Sequence, residues 1–284
     1  MGGKWIAGCA LACALHATRA GAQPASTAPA DSSPPVRALF QSSDLVVLAG
    51  FTAATVAMFP MDRRIASAVR DPALVDNAGV ARAARVIGFM GSPAPFLIGG
   101  AMYVAGRYGK VPRAAHLAVH TTEAIVVGLG VAGALKATLG RARPHVSPDT
   151  NPGDFRFLKG LSHDGYQAFP SAHATIAFSV ASAVTAETSE WWPRSGWIIG
   201  PALYGGATLV GLSRMYEHKH WASDVVMGAA IGVFSGLKTV RFNHTREGNR
   251  LDRWLLGDGA DDGLQLRVGV APGGGVGFLA SSRW

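Results

Sequence analysis

Between Arg37 and Phe242 the chain alternates long uncharged apolar stretches with short polar ones, the apolar runs covering 45–61, 86–106, 124–135, 174–186, 195–213 and 225–237. Ala, Gly, Val and Leu dominate these runs and alternation of period 2 is scarce, so each predicts a helix rather than a strand. The expected fold is all-α, a six-helix bundle. Run length leaves its solvent open. A helix that crosses a bilayer needs about 20 mostly apolar residues, whereas runs of about 10–14 more often belong to a soluble core. Three of the six runs meet the longer requirement loosely and three do not. Pro93 and Pro95 interrupt the second run, which membrane helices tolerate better than soluble ones.

After Lys238 the pattern changes. The segment RFNHTREGNRLDRWLLGDGADDG is polar and rich in turn formers, and then Leu264, Leu266, Val268 and Val270 alternate with other residues before the turn-like APGGG. That alternation predicts a small terminal β-hairpin, a structure of marginal stability when isolated. At the other end, Lys4, the apolar stretch from Trp5 to Leu15 and Ala20-Gly21-Ala22 form the three parts of a secretory signal peptide. QPASTAPADSSPPV then has the composition of an unstructured linker. The expected organisation is a signal over 1–22, a linker over 23–36, a helical domain over 37–245 and a C-terminal extension over 246–284.

Composition narrows the function classes. The 284 residues are 49% hydrophobic and 15% charged, which excludes a disordered chain, a collagen-like repeat and a small disulfide scaffold. The net charge of +8 raises nucleic acid as a partner. No Lys/Arg-rich run with interleaved aromatics supports it, and arginines aimed at a small anion account for the excess as well. The two cysteines, Cys9 and Cys13, lie inside the signal. Cysteine therefore offers the exported chain neither a disulfide nor a metal ligand.

Three clusters carry chemistry, each at the end of an apolar run. In KATLGRARP, Lys136 and Arg143 are seven residues apart, two turns of a continued helix, and converge on one anion or form an ordinary basic helix end. In PSAH, Ser171 is a good N-cap. The helix it starts would offer free N–H groups to an anion at Ala172 and His173, or His173 is incidental to a capped helix. In SRMYEHKHWASD, His220 and Asp224 are four apart on one helical face, so the carboxylate can accept the Nδ1–H and leave Nε2 as a free lone pair. A metal set of His218, His220 and Asp224 competes with that reading, but Lys136, Arg143 and Arg214 nearby would repel a cation.

Together the clusters read Lys136-x6-Arg143-Pro144, Pro170-Ser171-Ala172-His173 and Ser213-Arg214-x5-His220-x3-Asp224. In order and spacing this resembles the three-part signature of the type 2 phosphatidic acid phosphatase superfamily, which includes bacterial class A acid phosphatases and vanadium haloperoxidases. One position departs: Ala172 stands where the family usually has Gly. Arg141 and His145 lie beside the first cluster without matching it, and are expected at the rim or in solvent.

The resemblance implies a metal-independent phosphatase with no cofactor. His220 would attack phosphorus, His173 would protonate the leaving oxygen, and Asp224 would orient His220. Lys136, Arg143, Ser171, Ala172 and Arg214 would hold the phosphate oxygens. The expected substrate is a lipid phosphate at the outer face of a bacterial-type inner membrane. A soluble secreted acid phosphatase and a vanadate-dependent haloperoxidase are the alternatives. An exported chain whose six runs all cross would leave the Lys136 end inside, in conflict with an outward-facing site.

Overall fold

In a computed structural model, the described residues are 38–147, 151–245, 250–257, 265–270 and 276–281. The expected signal and linker lie outside them. Helix α1 (Ser42–Met58) ends in a short 3-10 turn, followed by α2 (Asp62–Ala68) and α3 (Pro72–Val75). Next come α4 (Ala78–Phe89) and α5 (Ala94–Tyr108), then α6 (Pro112–Leu139), α7 (Ala172–Trp191), α8 (Gly196–Tyr216), α9 (Ala222–Thr245) and α10 (Arg250–Leu256). The six apolar runs thus become α1, the α4–α5 pair, α6, α7, α8 and α9. The second is split because Pro93 and Pro95 cannot donate to a continuing helix, and the two halves meet at a 46° bend. Strand β1 (Gln265–Val270) pairs antiparallel with β2 (Val276–Ser281), Gln265 opposite Ser281, which gives the expected hairpin.

Small residues set the packing. On α9, Gly228, Gly232 and Gly236 recur every fourth residue, and a β-carbon at each would overlap Ser171 O, Thr175 O or the Ser182 Cβ of α7. This stripe lets the two backbones approach closely, as small-residue interfaces do in membranes. Ala124, Ala132, Ala174, Ala181, Ala207 and Ala229 fill the interior of α6–α9.

The helices run up and down. Arg113 at the start of α6 stacks over Trp191 and Trp192 at the end of α7, 5.9 and 5.3 Å from the ring centres. Lys238, late in α9, donates to Leu39 O at 3.0 Å and pairs with Asp44 at the start of α1. At the other end Ser223 N donates to Asp62 just beyond α1 at 2.8 Å. The end of α6, the start of α7, the end of α8 and the start of α9 therefore share one end of the bundle, and residue 38 lies at the opposite end.

Among the described residues three helical segments are long and apolar enough to cross a membrane: Ser42–Ala68, Pro112–Leu139 and Ala222–Thr245, with the bent α4–α5 pair a fourth. Only Thr55 is buried in α1, while Leu45, Val46 and Val56 are exposed. An apolar helix that hides so little from its surroundings suits lipid rather than water.

Candidate active site

Each sequence cluster sits where a helix ends. Gly140, in the left-handed region at φ 57°, closes α6 one turn beyond Lys136; glycine adopts that conformation without penalty. The seven-residue spacing to Arg143 is therefore not two turns of helix, because Arg143 lies in the loop. Its backbone N–H donates to Gly165 O at 2.9 Å, and its guanidinium pairs with Asp164 at 3.0 Å. Lys136 Nζ donates to Gln167 O at 2.5 Å. Arg214 closes α8 and pairs with Glu217 at 2.9 Å.

Ser171 is the N-cap of α7, as the sequence predicts. Its Oγ accepts from Ala174 N at 3.4 Å, and its own N–H donates to Asp224 O at 2.9 Å. His173 follows in the first turn. His220 precedes α9 rather than lying on it, and is almost fully buried.

The orientation of His220 corrects the sequence reading. Its Nδ1 is 2.7 Å from Ala168 O. A carbonyl only accepts, so Nδ1 carries the proton and Nε2 keeps its lone pair. The nearer Asp224 oxygen is 3.6 Å from Nδ1, beyond hydrogen-bond distance. Asp224 instead accepts from Trp221 N at 2.7 Å and from Arg141 Nη1 at 2.5 Å.

Arg141 is the second correction. It is wholly buried rather than at the rim, because two carboxylates need it. Nη2 donates to Asp62 at 2.7 Å and Nη1 to Ser223 Oγ at 2.7 Å, while Nε reaches Pro152 O at 2.9 Å. Phe59, Phe155, Phe169 and Trp221 surround the guanidinium, their ring centres 4.7 to 5.9 Å away. Asp62 has no motif around it; its one sequence signal is a charge directly after the first apolar run. His145 is exposed, as expected, and donates from Nδ1 to His218 O at 2.9 Å.

Lys136, Arg143 and Arg214 converge with His173 and His220 on a cavity of about 340 Å³ whose wall includes Ala172. Ser171 and Asp224 are not part of that wall; both are buried supports behind it. Sequence reasoning missed Lys219, Gln167, Leu129 and Gly133, which also line the cavity. Lys219 directly precedes His220, and Leu129 and Gly133 lie on the face of α6 that carries Lys136, at helical spacing.

Burial is the main force that pushes both imidazoles down. His173 falls to about 3, helped by Arg214, His220, Lys136 and Arg143, and His220 falls to about 4 despite Asp224. Both are therefore neutral near pH 6 when no oxyanion is bound. An oxyanion cancels the charge of the cations and raises both values. Sulfate does not itself titrate at this pH, so its binding is expected to draw protons from the buffer. Calorimetry in two buffers of different ionisation heat measures this, and net proton release would contradict the arrangement.

Comparison with known proteins follows the same residues. Residues 117–247 match the PAP2 superfamily model. The lipid A 1-phosphatase of Porphyromonas gingivalis is 40% identical over 88 residues, 30% of this chain and 19% of that protein. That of Rhizobium johnstonii is 33% identical over 111 residues, 38% of this chain and 41% of the relative. The chain thus spans less than half the length of either relative. The undecaprenyl-diphosphatase of Sulfolobus acidocaldarius is 25% identical over 166 residues, 56% of this chain and 77% of that protein. In fold, the chain is similar to a transmembrane PAP2 type phosphatidylglycerolphosphate phosphatase from Bacillus subtilis, with a TM-score of 0.51 and 18% identity over 73% of this chain and 98% of that one. The matched segment holds Lys136, Arg143, His173, Arg214 and His220 at one end of the bundle, and over that segment the chain is similar to the PAP2 superfamily.

Proposed function

We propose that the chain is a membrane-bound phosphatase that hydrolyses lipid phosphates or isoprenyl diphosphates through a phosphohistidine. The observation that carries this reading is the convergence of three cations on two imidazoles, one with a lone pair fixed toward the site. His220 Nε2 attacks phosphorus in line and the ester or anhydride oxygen leaves. His173 supplies the proton to that oxygen, because the bound phosphate raises its pKa from the low value it has beside bare cations. Water then attacks the phosphohistidine and His173 takes its proton, releasing phosphate and restoring His220. Lys136, Arg143 and Arg214 hold the equatorial oxygens, where preorganised charge contributes most of the stabilisation. Asp224 and Arg141 position these groups from behind.

Two features favour a lipid. Leu129 and Gly133 continue the cavity wall from Lys136 toward the apolar part of α6, which suits a charged head joined to a hydrocarbon tail. The spanning-length helices support a site beside a bilayer. We assign it to the periplasmic face of the inner membrane. Residue 38 is then on the inner side, and omitting the α7–α8 hairpin from the crossings changes nothing, since it goes out and back.

Remote binding energy from the tail should raise kcat/KM on phosphatidate or isoprenyl diphosphate in mixed micelles by at least roughly tenfold over sugar or nucleotide phosphates. A protein that is soluble without detergent and prefers nucleotide phosphates would be an acid phosphatase instead. Bromide oxidation after loading with vanadate, without phosphatase activity, would mark a haloperoxidase.

A further inference from the structure

At the end of the bundle away from the cavity, three helices bring nitrogen and oxygen ligands to one point. His120 of α6 is buried, with Nδ1 3.0 Å from Glu187 Oε2 of α7. His244 of α9 places Nε2 3.0 Å from the same oxygen. The three ligand atoms lie within 4.8 Å of one another, and among the described residues this is the one group of its kind. Glu187 is almost fully buried, while His244 is about one-third exposed and leaves a route from solvent.

From this geometry we infer a zinc site formed by His120, Glu187 and His244.

The residues around the point favour a cation over a plain ion-pair network. Without an ion, both imidazoles must donate to a single carboxylate oxygen. His120 Nε2 also faces Asp252 Oδ2 of α10 at 3.3 Å, so pairing on both sides requires a doubly protonated His120 between two carboxylates. With an ion, one proton suffices. Asp252 accepts from Nε2–H and fixes the tautomer whose Nδ1 lone pair is free to bind metal, which is the usual outer partner of a metal-bound histidine. Two further buried carboxylate oxygens, Glu123 Oε1 and Asp252 Oδ1, have no hydrogen-bond partner among the described residues. Their charge adds to the local demand for a cation.

The donor set selects the metal. Two imidazoles and one carboxylate suit zinc, whereas calcium and magnesium prefer oxygen ligands throughout. Tetrahedral zinc with bonds of about 2.0–2.1 Å separates its ligand atoms by about 3.3 Å. The 3.0 Å spacings at Oε2 therefore need to open by a few tenths of an ångström, and the two nitrogens, within 4.8 Å of each other, need to settle at the same separation. Three protein ligands leave a fourth position for water on the His244 side. The bound ion would tie α6, α7 and α9 together far from the phosphate cavity, so this inference does not depend on the proposed activity.

The test uses the full chain in detergent, stripped of metal and titrated with Zn²⁺, and with Co²⁺ for its visible absorption. One equivalent is expected to bind, give a tetrahedral cobalt spectrum and raise Tm. His244→Ala changes a partly exposed ligand in the last turn of α9, so it should fold and lose roughly 100-fold or more in affinity, together with the rise in Tm. Asp252→Asn should lose about 10–100-fold. His220→Gln should bind as the wild type does. The inference is overturned if no saturable binding occurs, if His244→Ala binds equally well, or if His220→Gln abolishes binding and thereby moves the metal to the phosphate cavity.

Discussion

His220→Gln should lower phosphate release by at least about 10⁴-fold while leaving a folded protein. The choice of glutamine follows from the environment of the imidazole. Nδ1–H donates to Ala168 O at 2.7 Å inside a nearly closed site, and an amide can reproduce that donation, whereas alanine would orphan a buried carbonyl. What glutamine cannot supply is the nucleophilic nitrogen. With labelled substrate and an alkaline quench, needed because phosphohistidine is acid-labile, label should remain on the wild type and be absent from the variant. Undiminished turnover in His220→Gln, or label that persists on it, would remove His220 from the nucleophile role.

Much of the fold is legible in hydropathy alone. Five of the six apolar runs correspond to single long helices, and the sixth breaks at the prolines that the sequence displays. The alternation at 264–270 likewise anticipates the strand that pairs with β2. The short α2 and α3 are not legible, because seven and four residues are too few to carry a helical period. Direction is also hidden: which helix ends meet depends on up-and-down packing, and hence on the glycine stripe of α9 against α7.

The site was readable where the chemistry recurs at fixed spacing and unreadable where it depends on distant segments. Lys136, Arg143, His173, Arg214 and His220 all reach the cavity, as the three clusters suggest, although Arg143 and His220 do so from loops. The four-residue spacing of His220 and Asp224 implies a shared helical face, but His220 lies outside the helix, so Asp224 stands 3.6 Å from its Nδ1 and holds Trp221 N instead. Its true partner, Arg141, is 83 residues away in sequence, and Asp62 is 79 residues from Arg141. The zinc ligands were invisible for the same reason: His120, Glu187 and His244 belong to three different helices.

Arg141→Met should therefore be the most destabilising single change near the site, although it touches no substrate. The guanidinium is fully buried and is bonded to Asp62 and Asp224, both also fully buried. Removing it leaves two buried carboxylates without their shared cation, and breaking a buried pair in this way costs about 3–5 kcal/mol. Methionine keeps much of the volume, so the loss reports on charge rather than on a cavity. Asp62→Asn should cost less, about 1–3 kcal/mol, since the amide still accepts from Ser223 N, which now donates to Asp62 at 2.8 Å. Activity should follow through Asp224, whose carboxylate holds Trp221 N, one residue from His220. In Arg141→Met assayed well below its Tm, kcat should fall while the affinity for sulfate, set by Lys136, Arg143 and Arg214, changes little. A rim residue would alter neither quantity. A variant with wild-type Tm and wild-type kcat would show that the buried Asp62–Arg141–Asp224 chain does not position the nucleophile.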